Sequence, residues 1–390
     1  MDLSFSEEDL AFRAEVRAWL TEHAPRERRP QDTAAMREFD LEWQRTQYEG
    51  GWAGITWPVE YGGRGATLAQ QLIWYEECGA LPLADVDACF VGLNHAGPTL
   101  IARARDQQKS EHLPKILRGE AVWCQGFSEP SAGSDLGSLQ TRGEIDGHEL
   151  VVSGQKIWTT FADVADYQEL LVRTNRSAPK HKGLTWVICD MHAPGIEIRP
   201  IKTMGRDADF CEVFYDEVRI PLTSIVGAVD EGWSVAMSTL AFERGTAFTQ
   251  SQVRLASVVE DLFAVARERT GPDGRRAVIE DDEMARRLAW ARADVAALRA
   301  MTYAAVSRGA RFDTPPPEGS MLKLRYSDLA QEIYRLALEV MGRDAMRYVS
   351  RWAPDGWSGA YLHSYAISIA GGTSEIQRNI IGERVLGLPR

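Results

Sequence analysis

The sequence has few of the residues that build metal centres and disulfide frameworks. Its five cysteines are scattered through 390 residues and are odd in number, and no two of them form a CxxC pair. The seven histidines are dispersed as well. This pattern indicates neither a zinc site nor a set of disulfides. It favours a cytoplasmic protein whose thiols are buried or idle.

Other absences restrict the partners. No stretch reaches the roughly 18 apolar residues that a membrane-spanning helix needs. The N-terminus, MDLSFSEEDLAFRAEV, has neither the basic start nor the apolar core of a signal peptide. Acidic residues outnumber basic ones by 56 to 44, which gives a net charge of −12. This balance argues against nucleic acid or an anionic membrane as the main partner, but it allows a local basic pocket for a phosphorylated ligand.

The chain is long enough for two or three domains. Helical patterns, beginning with a segment that Ser6 can cap, run to about residue 120 and are broken by the Gly- and Pro-containing loop GITWPVEYGGRGA. Short runs rich in β-branched and aromatic residues follow. Helical patterns then return, and Ser320 is a possible cap of the last long helix. We therefore predict domains at 1–120, 121–230 and 231–390, in the order α, β, α.

Two stretches could carry chemistry. In FSEPSAGSD, small residues allow a ligand to approach the backbone, and Ser128 and Ser134 add hydroxyl donors. Taken alone, this stretch is also typical of a surface loop. In SGQKIWTT, strand alternation places Trp158 and Thr160 on one face, where they could stack on a ring and bind its edge. Ordinary sheet packing is the alternative for that pair.

Together these motifs resemble the acyl-CoA dehydrogenase family. FSEPSAGSD is similar to the family's TEPxAGSD, SGQKIWTT to NGxKxWIT, TWPVEYGGRGA to WPxEYGG, and AGGTSEIQ to the C-terminal GTxEIQ. The matches follow the family's order and cover nearly the whole chain. The resemblance implies an α+β fold with an N-terminal helical domain, a central β-barrel-like domain and a C-terminal four-helix bundle. It also implies FAD between the β domain and the bundle, usually reaching a neighbouring subunit.

The resemblance implies a role for each matching position. The backbone of Gln125 and Phe127 and the Ser128 hydroxyl would contact the flavin pyrimidine, Trp158 would pack on the ring system and Thr160 would approach N5. Ser134 would lie near FAD or the CoA chain. The positions implied for the FAD phosphate and ribose are Thr373 and Glu375. For Glu375, an ordinary exposed helix position is an equally good interpretation.

The same resemblance implies the reaction. A carboxylate removes the α-proton of an acyl-CoA thioester, a hydride leaves the β-carbon for flavin N5, and the electrons pass to an electron-transferring flavoprotein. Many members carry this base just before GT, where this chain has Gly371, whose backbone N–H could still bind the thioester oxygen. A branch that includes isovaleryl-CoA dehydrogenase carries it in an ER pair, which here is Glu243–Arg244. We predict Glu243 as the base and Arg244 as a support for FAD binding or for the local charge balance; a solvated helix face is the alternative.

Departures from the family pattern keep other functions open. RERTGPDGRRAVIEDDEM lacks the phenylalanine of the family's RxxFG, and ALEVMGRDAM has Glu339 and Arg343 where the adenine loop has glutamine and glycine. PPPEGSMLKLRYSDLAQEI resembles a bacterial subgroup that acts on bulky acyl-CoAs, sometimes as heteromers. We expect a homo- or hetero-oligomer, dimeric or tetrameric. The alternatives are a subunit that shares FAD or is not catalytic, and a flavin oxidase or monooxygenase.

Overall fold

The computed structural model describes residues 5–81, 87–242, 248–312 and 318–389. The helices within these ranges are α1 Glu7–His23, α2 Thr33–Glu49, α3 Leu68–Ala80, α4 Asp87–Val91, α5 Gly97–Arg103, α6 Asp106–Leu117, α7 Gly232–Phe242, α8 Phe248–Glu268, α9 Asp282–Phe312, α10 Gly319–Met341, α11 Trp357–Ile367 and α12 Ser374–Ile380. The strands are β1 Trp123–Gly126, β2 Arg142–Asp146, β3 Glu149–Thr160, β4 Tyr167–Arg173, β5 Leu184–Asp190, β6 Ile196–Ile201, β7 Phe210–Pro221 and β8 Ile225–Val226.

The N-terminal helices begin where their sequences provide caps. The Ser6 hydroxyl accepts from the Asp9 N–H and the Asp9 carboxylate accepts from Ser6, which confirms the predicted start of α1. Thr67 and Gln70 form the same reciprocal pair at α3. Between α2 and α3, the Gly- and Pro-containing segment forms turns and one short 3₁₀ helix, Val59–Tyr61, as the sequence predicts. A cluster of tryptophans buries the inner faces of these helices.

The strands form one sheet in the order β6-β7-β3-β2-β4-β5-β8, and β1 pairs in parallel with β4. Most neighbours are antiparallel, and β3 and β7 form the longest ladder. Alternating side chains of β3, β5 and β7 fill one core together with residues of α2 and α4, and a second core lies between β4, β5, α5 and α6. All five cysteines are free thiols in buried positions, as the sequence suggested.

The C-terminal helices have a core of their own. Apolar residues of α8, α9 and α10 recur at helical spacing and pack together. Ser320 does not cap α10: it lies inside the helix, 1% exposed, and Glu318 occupies the cap position. The helix starts earlier than predicted because glycine and serine continue its first turn. No helix among the described residues is long and apolar enough to cross a membrane. The cytoplasmic location stays a prediction.

Candidate active site

The two stretches singled out in the sequence are neighbours in space. FSEPSAGSD leaves the end of β1 and turns back at once, because Glu129 and Ala132 exchange backbone hydrogen bonds of 2.9 and 3.0 Å. The Ser128 carbonyl then accepts from the Ile157 N–H on β3 at 3.0 Å. This loop, residues 127–135, is called the serine loop below. Its attachment to β3 places Ser128 directly beside the strand that carries Trp158.

A buried ion pair, which the sequence reasoning missed, fixes the serine loop. Lys156 donates to a Glu129 carboxylate oxygen at 2.9 Å and to the Phe127 carbonyl at 3.0 Å. Glu129 also accepts from the N–H groups of Gln140 and Thr141 at 2.6 and 2.8 Å. The only sequence signal was a lysine and a glutamate within otherwise apolar or small-residue stretches. Each charge has partners, which is the condition for burying it.

The pKa values of this pair follow from its burial and its partners. Burial lowers the pKa of the Lys156 ammonium to about 8, although the charge of Glu129 acts in the opposite direction. Burial raises the pKa of Glu129, but Lys156 and the two backbone donors outweigh it, so the net pKa lies below the usual value. Near neutral pH both groups are therefore charged.

Trp158 has an unusual backbone and an exposed ring. The register of β3 against β7 shifts between Lys156 and Thr159, so that one extra residue bulges out, and Trp158 has a φ of 61°. Its indole is 55% exposed and meets the Phe210 ring edge-on at 6.1 Å. Thr159 points inward and Thr160 is half-buried. The prediction for Trp158 and Thr160 assumed regular alternation of side chains along β3. The bulge interrupts that alternation and changes the direction of the Trp158 side chain.

This surface fits a planar ring with polar edges. An exposed indole offers a stacking face, and the half-buried Ser128 and Thr160 add hydroxyl groups. The space beside Gly133 is open, and Ser134 is exposed. Phe127 is buried, so its backbone rather than its side chain can face a ligand.

Polar side chains also lie behind β1. Gln125 donates to the Glu169 carboxyl at 2.8 Å, and its amide nitrogen is 3.5 Å from Nδ1 of His95. Glu169 is fully buried and His95 is 5% exposed. Neither residue was singled out in the sequence, because an isolated histidine and a strand glutamate carry no motif. The Gln125 side chain is thus part of an interior polar cluster, whereas the predicted flavin contact concerns its backbone.

The C-terminal motif forms a clamped turn. Gly371 and Gly372 have φ values of 66° and 95°, a conformation that glycine adopts without steric cost. Gln377 donates to the Gly371 carbonyl at 2.8 Å, and Lys323 of α10 donates to the Gly372 carbonyl at 2.7 Å. Thr373 caps α12 by accepting from the Ile376 N–H. Lys323 was not predicted; its charge within a buried helix face was the available signal.

The remaining predicted residues divide between exposed and undescribed positions. Glu375 is exposed on the first turn of α12. Among the described residues, no hydrogen bond joins the Gly371–Thr373 turn to Ser128 or Trp158. Glu243 and Arg244 lie outside the described residues, directly after the end of α7 at Phe242.

A cluster around Arg351 connects the bundle to the β domain near Thr160. Arg351 pairs with Asp207 at 3.0 Å and with Asp209, whose carbonyl accepts from the Phe161 N–H at 2.8 Å. Its guanidinium also lies 3.1 Å from Nε2 of His363. Burial and then the Arg351 charge lower the pKa of His363 to about 3. The end of β3 is thereby held by the C-terminal segment.

Comparison with known proteins decides the family. Three consecutive descriptions match: "Acyl-CoA dehydrogenase, N-terminal domain" at 6–120, "middle domain" at 124–218 and "C-terminal domain" at 230–386. A Mycobacterium tuberculosis protein named acyl-CoA dehydrogenase IpdE1 is 36% identical over 395 residues, covering 97% of both chains. This chain belongs to the acyl-CoA dehydrogenase family.

Solved acyl-CoA dehydrogenase structures agree over the whole length. The steroid ACAD Tcur3481-Tcur3483 gives a TM-score of 0.85 at 30% identity, and the ChsE4-ChsE5 complex from M. tuberculosis gives 0.83 at 31%, each with 100% of both chains covered. Mitochondrial isovaleryl-CoA dehydrogenase of Pongo abelii is 31% identical over 61% of this chain and 57% of its own. The predicted three-domain α+β fold, the enzyme class and FAD as cofactor are confirmed.

The departure at the acyl-CoA dehydrogenase adenine loop has a structural counterpart. Glu339 of α10 forms a two-pronged ion pair with Arg287 of α9, in which one of the two bonds measures 2.9 Å. The glutamate is thus turned toward a neighbouring helix of its own bundle. Arg269 similarly binds the Met341 carbonyl at the end of α10, at 2.9 Å, and Asp344 in the segment after it. Ionic contacts within the chain occupy this region.

Proposed function

We propose that this chain converts an acyl-CoA thioester to the trans-2-enoyl-CoA, with Glu243 as the base that removes the α-proton. Bound FAD supplies the acceptor for the β-hydride. The observation that carries the proposal is the surface made by the exposed Trp158 indole, half-buried Thr160 and the serine loop pinned to β3. It offers a stacking face together with hydroxyl and backbone groups, all of them on residues of the family motifs.

The backbone at Gly371 supports the placement of the base at Glu243. A residue other than glycine at a φ of 66° is strained by roughly 1 kcal/mol or more. The turn is therefore shaped for a glycine, and the carboxylate must come from elsewhere. Glu243, directly after α7, is the residue that the family's alternative arrangement supplies. Gly371 keeps its N–H, which we assign to the thioester oxygen, where it would stabilise the enolate.

The flavin-binding roles follow the same assignment. The backbone of Gln125 and Phe127 and the hydroxyl of Ser128 bind the pyrimidine edge, Trp158 packs on the ring, and Thr160 lies beside the reacting nitrogen. Arg244, Ser134, Thr373 and Glu375 serve the phosphate, ribose or CoA portions. Residues 1–120, 121–230 and 231–390 act as the three domains, and the reduced enzyme passes its electrons to an electron-transferring flavoprotein.

A second candidate is a heteromeric enzyme in which this chain supplies one part of a shared FAD site. Two observations favour it. Glu339, at the position of the family's adenine-contacting glutamine, is engaged by Arg287. The similar structure from M. tuberculosis is a ChsE4-ChsE5 complex. Binding of FAD by the isolated chain separates the two candidates.

The deciding experiment compares wild type with Glu243→Gln and, as matched control, Glu268→Gln at an exposed position on α8. Each purified protein is mixed without oxygen with a panel of acyl-CoAs while flavin absorbance is followed. We expect bleaching in wild type and control, and a rate lower by roughly a hundred- to ten-thousandfold in Glu243→Gln with FAD retained. Retained turnover in Glu243→Gln contradicts the base assignment. A colourless wild type supports the heteromer, and rapid reoxidation by air supports an oxidase.

A further inference from the structure

Two aromatic residues at the end of β3 have a backbone conformation that side chains rarely adopt. Trp158 and Phe161 have φ values of 61° and 54°, in the left-handed region. This conformation costs free energy in a residue other than glycine, and it persists only where the surrounding structure holds it. Between the two lies half-buried Thr160, whose hydroxyl belongs to the proposed flavin surface. The contacts that hold this short stretch therefore bear on that surface.

The neighbouring strand β7 holds the stretch. The Phe161 N–H donates to the Asp209 carbonyl at 2.8 Å. Phe210, the next residue, pairs with Thr160 in the ladder, and its ring meets the Trp158 indole edge-on at 6.1 Å. Both contacts come from the point where β7 begins. The position of the chain just before β7 therefore affects the whole strained stretch.

The C-terminal part of the chain grips the turn that precedes β7. This turn, residues 202–209, is called the β6–β7 turn below. Arg351 donates to Asp207 at 3.0 Å through Nε and to Asp209 through a second nitrogen. The Arg351 side chain is 16% exposed, so the two carboxylates hold a largely buried charge. The planar guanidinium can bridge two acceptors at once, which fixes the turn at two points.

Tyr348 reinforces the grip from the same segment. Its hydroxyl donates to the Gly205 carbonyl, and the Arg206 guanidinium lies over its ring at 4.7 Å. The segment is itself tied to α11, because the Val349 N–H donates to the Ser358 hydroxyl at 2.9 Å. The β6–β7 turn is therefore attached to the helical bundle through a segment that has its own support.

The N-terminal helices contribute to the same junction. The Arg29 guanidinium lies 5.6 Å from the centre of the Phe161 ring and 5.6 Å from that of Trp352. Arg351 lies over the Trp352 ring at 3.9 Å. Arg29 is held by its ion pair with the buried Asp40, in which one bond measures 2.7 Å. All three parts of the chain thus meet at the end of β3.

We propose that Arg351 is a positioning residue for the dehydrogenation: by fixing the β6–β7 turn, it holds Trp158 and Thr160 in their strained arrangement. The inference rests on the proposed function, since it concerns the same flavin surface. Arg351 acts through Asp209 and the backbone of Phe161. Hydride transfer depends on the alignment of the reacting atoms, and a misplacement of about 1 Å can slow it roughly a hundredfold. The expected signature is a lower kcat with KM nearly unchanged.

The test compares wild type with Arg351→Gln, Arg351→Lys and the control Arg219→Gln. Arg219 lies near the other end of β7 and also faces two carboxylates, those of Asp146 and Glu149. Arg351→Lys keeps the positive charge but lacks the planar fork that bridges two carboxylates. It therefore separates the geometry of the grip from its charge, and it serves as the second variant if Arg351→Gln does not fold.

Two readouts are needed. The first is backbone hydrogen exchange in peptides that cover residues 158–161, measured by mass spectrometry on the purified proteins with FAD in excess. It reports directly on the hydrogen bond of the Phe161 N–H and requires no turnover. The second is kcat and KM, determined separately without oxygen for the acyl-CoA that wild type oxidises fastest.

In Arg351→Gln we expect exchange at 158–161 to be about tenfold faster and kcat about ten- to a hundredfold lower, with KM within roughly twofold of wild type. Arg351→Lys should lie between, and Arg219→Gln should match wild type. Wild-type exchange in both Arg351 variants overturns the inference, as does faster exchange with an unchanged kcat or a change confined to KM. An equal change in Arg219→Gln also overturns it.

Failure of the proposed function gives a different result. If wild type oxidises no acyl-CoA of the panel, the dehydrogenation and any role of Arg351 in it are overturned together. The exchange readout still decides whether Arg351 holds the strained stretch, because it does not depend on turnover.

Discussion

Lys156 of β3 reaches across to the serine loop and binds both the Glu129 carboxylate, at 2.9 Å, and the Phe127 carbonyl, at 3.0 Å. One fully buried ammonium therefore holds the loop that carries Ser128 against the strand that carries Trp158. Ser128 and Trp158, in the two halves of the proposed flavin surface, lie 30 residues apart in sequence. Their relative position depends on this ion pair.

Lys156→Met is expected to destabilise the protein and to release flavin. Removing one partner of a buried pair costs roughly 3–5 kcal/mol. The lower end applies here, because Glu129 keeps the N–H donors of Gln140 and Thr141. Urea unfolding and the ratio of flavin to protein absorbance measure the two effects. Lys202→Met, at an exposed lysine, is the control. Equal flavin content and unfolding midpoints in both variants would show that the pair does not hold the loop.

Lys323→Met and Gln377→Leu are expected to slow turnover more than they weaken substrate binding. Both side chains hold the carbonyls of the Gly371–Gly372 turn and so orient the N–H assigned to the thioester oxygen. Complete loss of such a donor lowers kcat roughly a hundred- to thousandfold. These variants only misorient the donor, so we expect kcat to fall about tenfold. Gln331→Leu is the control. The Gln331 side chain lies on the same helix as Lys323 but binds the Ser368 hydroxyl, at 3.0 Å, and kcat should be unchanged. A change confined to KM would contradict the assignment.

Gly371→Glu introduced into Glu243→Gln is expected to restore turnover only in part. The new carboxylate would occupy the family's other base position. It must adopt a φ near 66°, at a cost of roughly 1 kcal/mol or more, or distort the clamped turn. Recovery of about a tenth of wild-type kcat or less is expected from the resulting misalignment. The comparison is made with Gly371→Gln in the same background, which adds the bulk without the base. Equal rates in the two double variants would mean that the positions do not face one carbon.

His363 is expected to make the protein sensitive to mild acid. Its folded pKa is about 3, below the unfolded value of roughly 6.5. Between these values the unfolded chain binds more protons, so the free energy of unfolding falls as pH falls through that window. At about pH 5 this loss reaches about 2 kcal/mol relative to pH above 7.

His363→Gln isolates that contribution. A glutamine oxygen can still accept from Arg351, and Asp207 and Asp209, which face the same guanidinium, are present in both proteins. Urea unfolding at about pH 7.5 and pH 5 should show a smaller acid loss in the variant, by about 2 kcal/mol. Identical losses would indicate that His363 is protonated without penalty, and that the Arg351 cluster does not depend on a neutral imidazole.

Local sequence was sufficient for the architecture. The capping of α1 by Ser6, the break between α2 and α3, and the change from helical to strand periodicity and back are set by neighbours within a few residues, and they match the structure. The predicted start of α10 was wrong. Serine is a good helix cap by local preference, but Ser320 is buried within the helix. The family motifs likewise required only the order of residues.

Tertiary structure decided how the motif residues are held in place. The Lys156–Glu129 pair, the clamp of Lys323 on Gly372 and the interior cluster of His95 with Glu169 each join residues far apart in the chain. Sequence periodicity and spacing do not predict such contacts. A single charged residue in a sequence is expected to be exposed unless its partner is known. Trp158 shows the same limit in the backbone, since its direction is set by a bulge that arises only when β3 pairs with β7. Sequence determined the elements and the family, and packing determined which polar groups meet away from water.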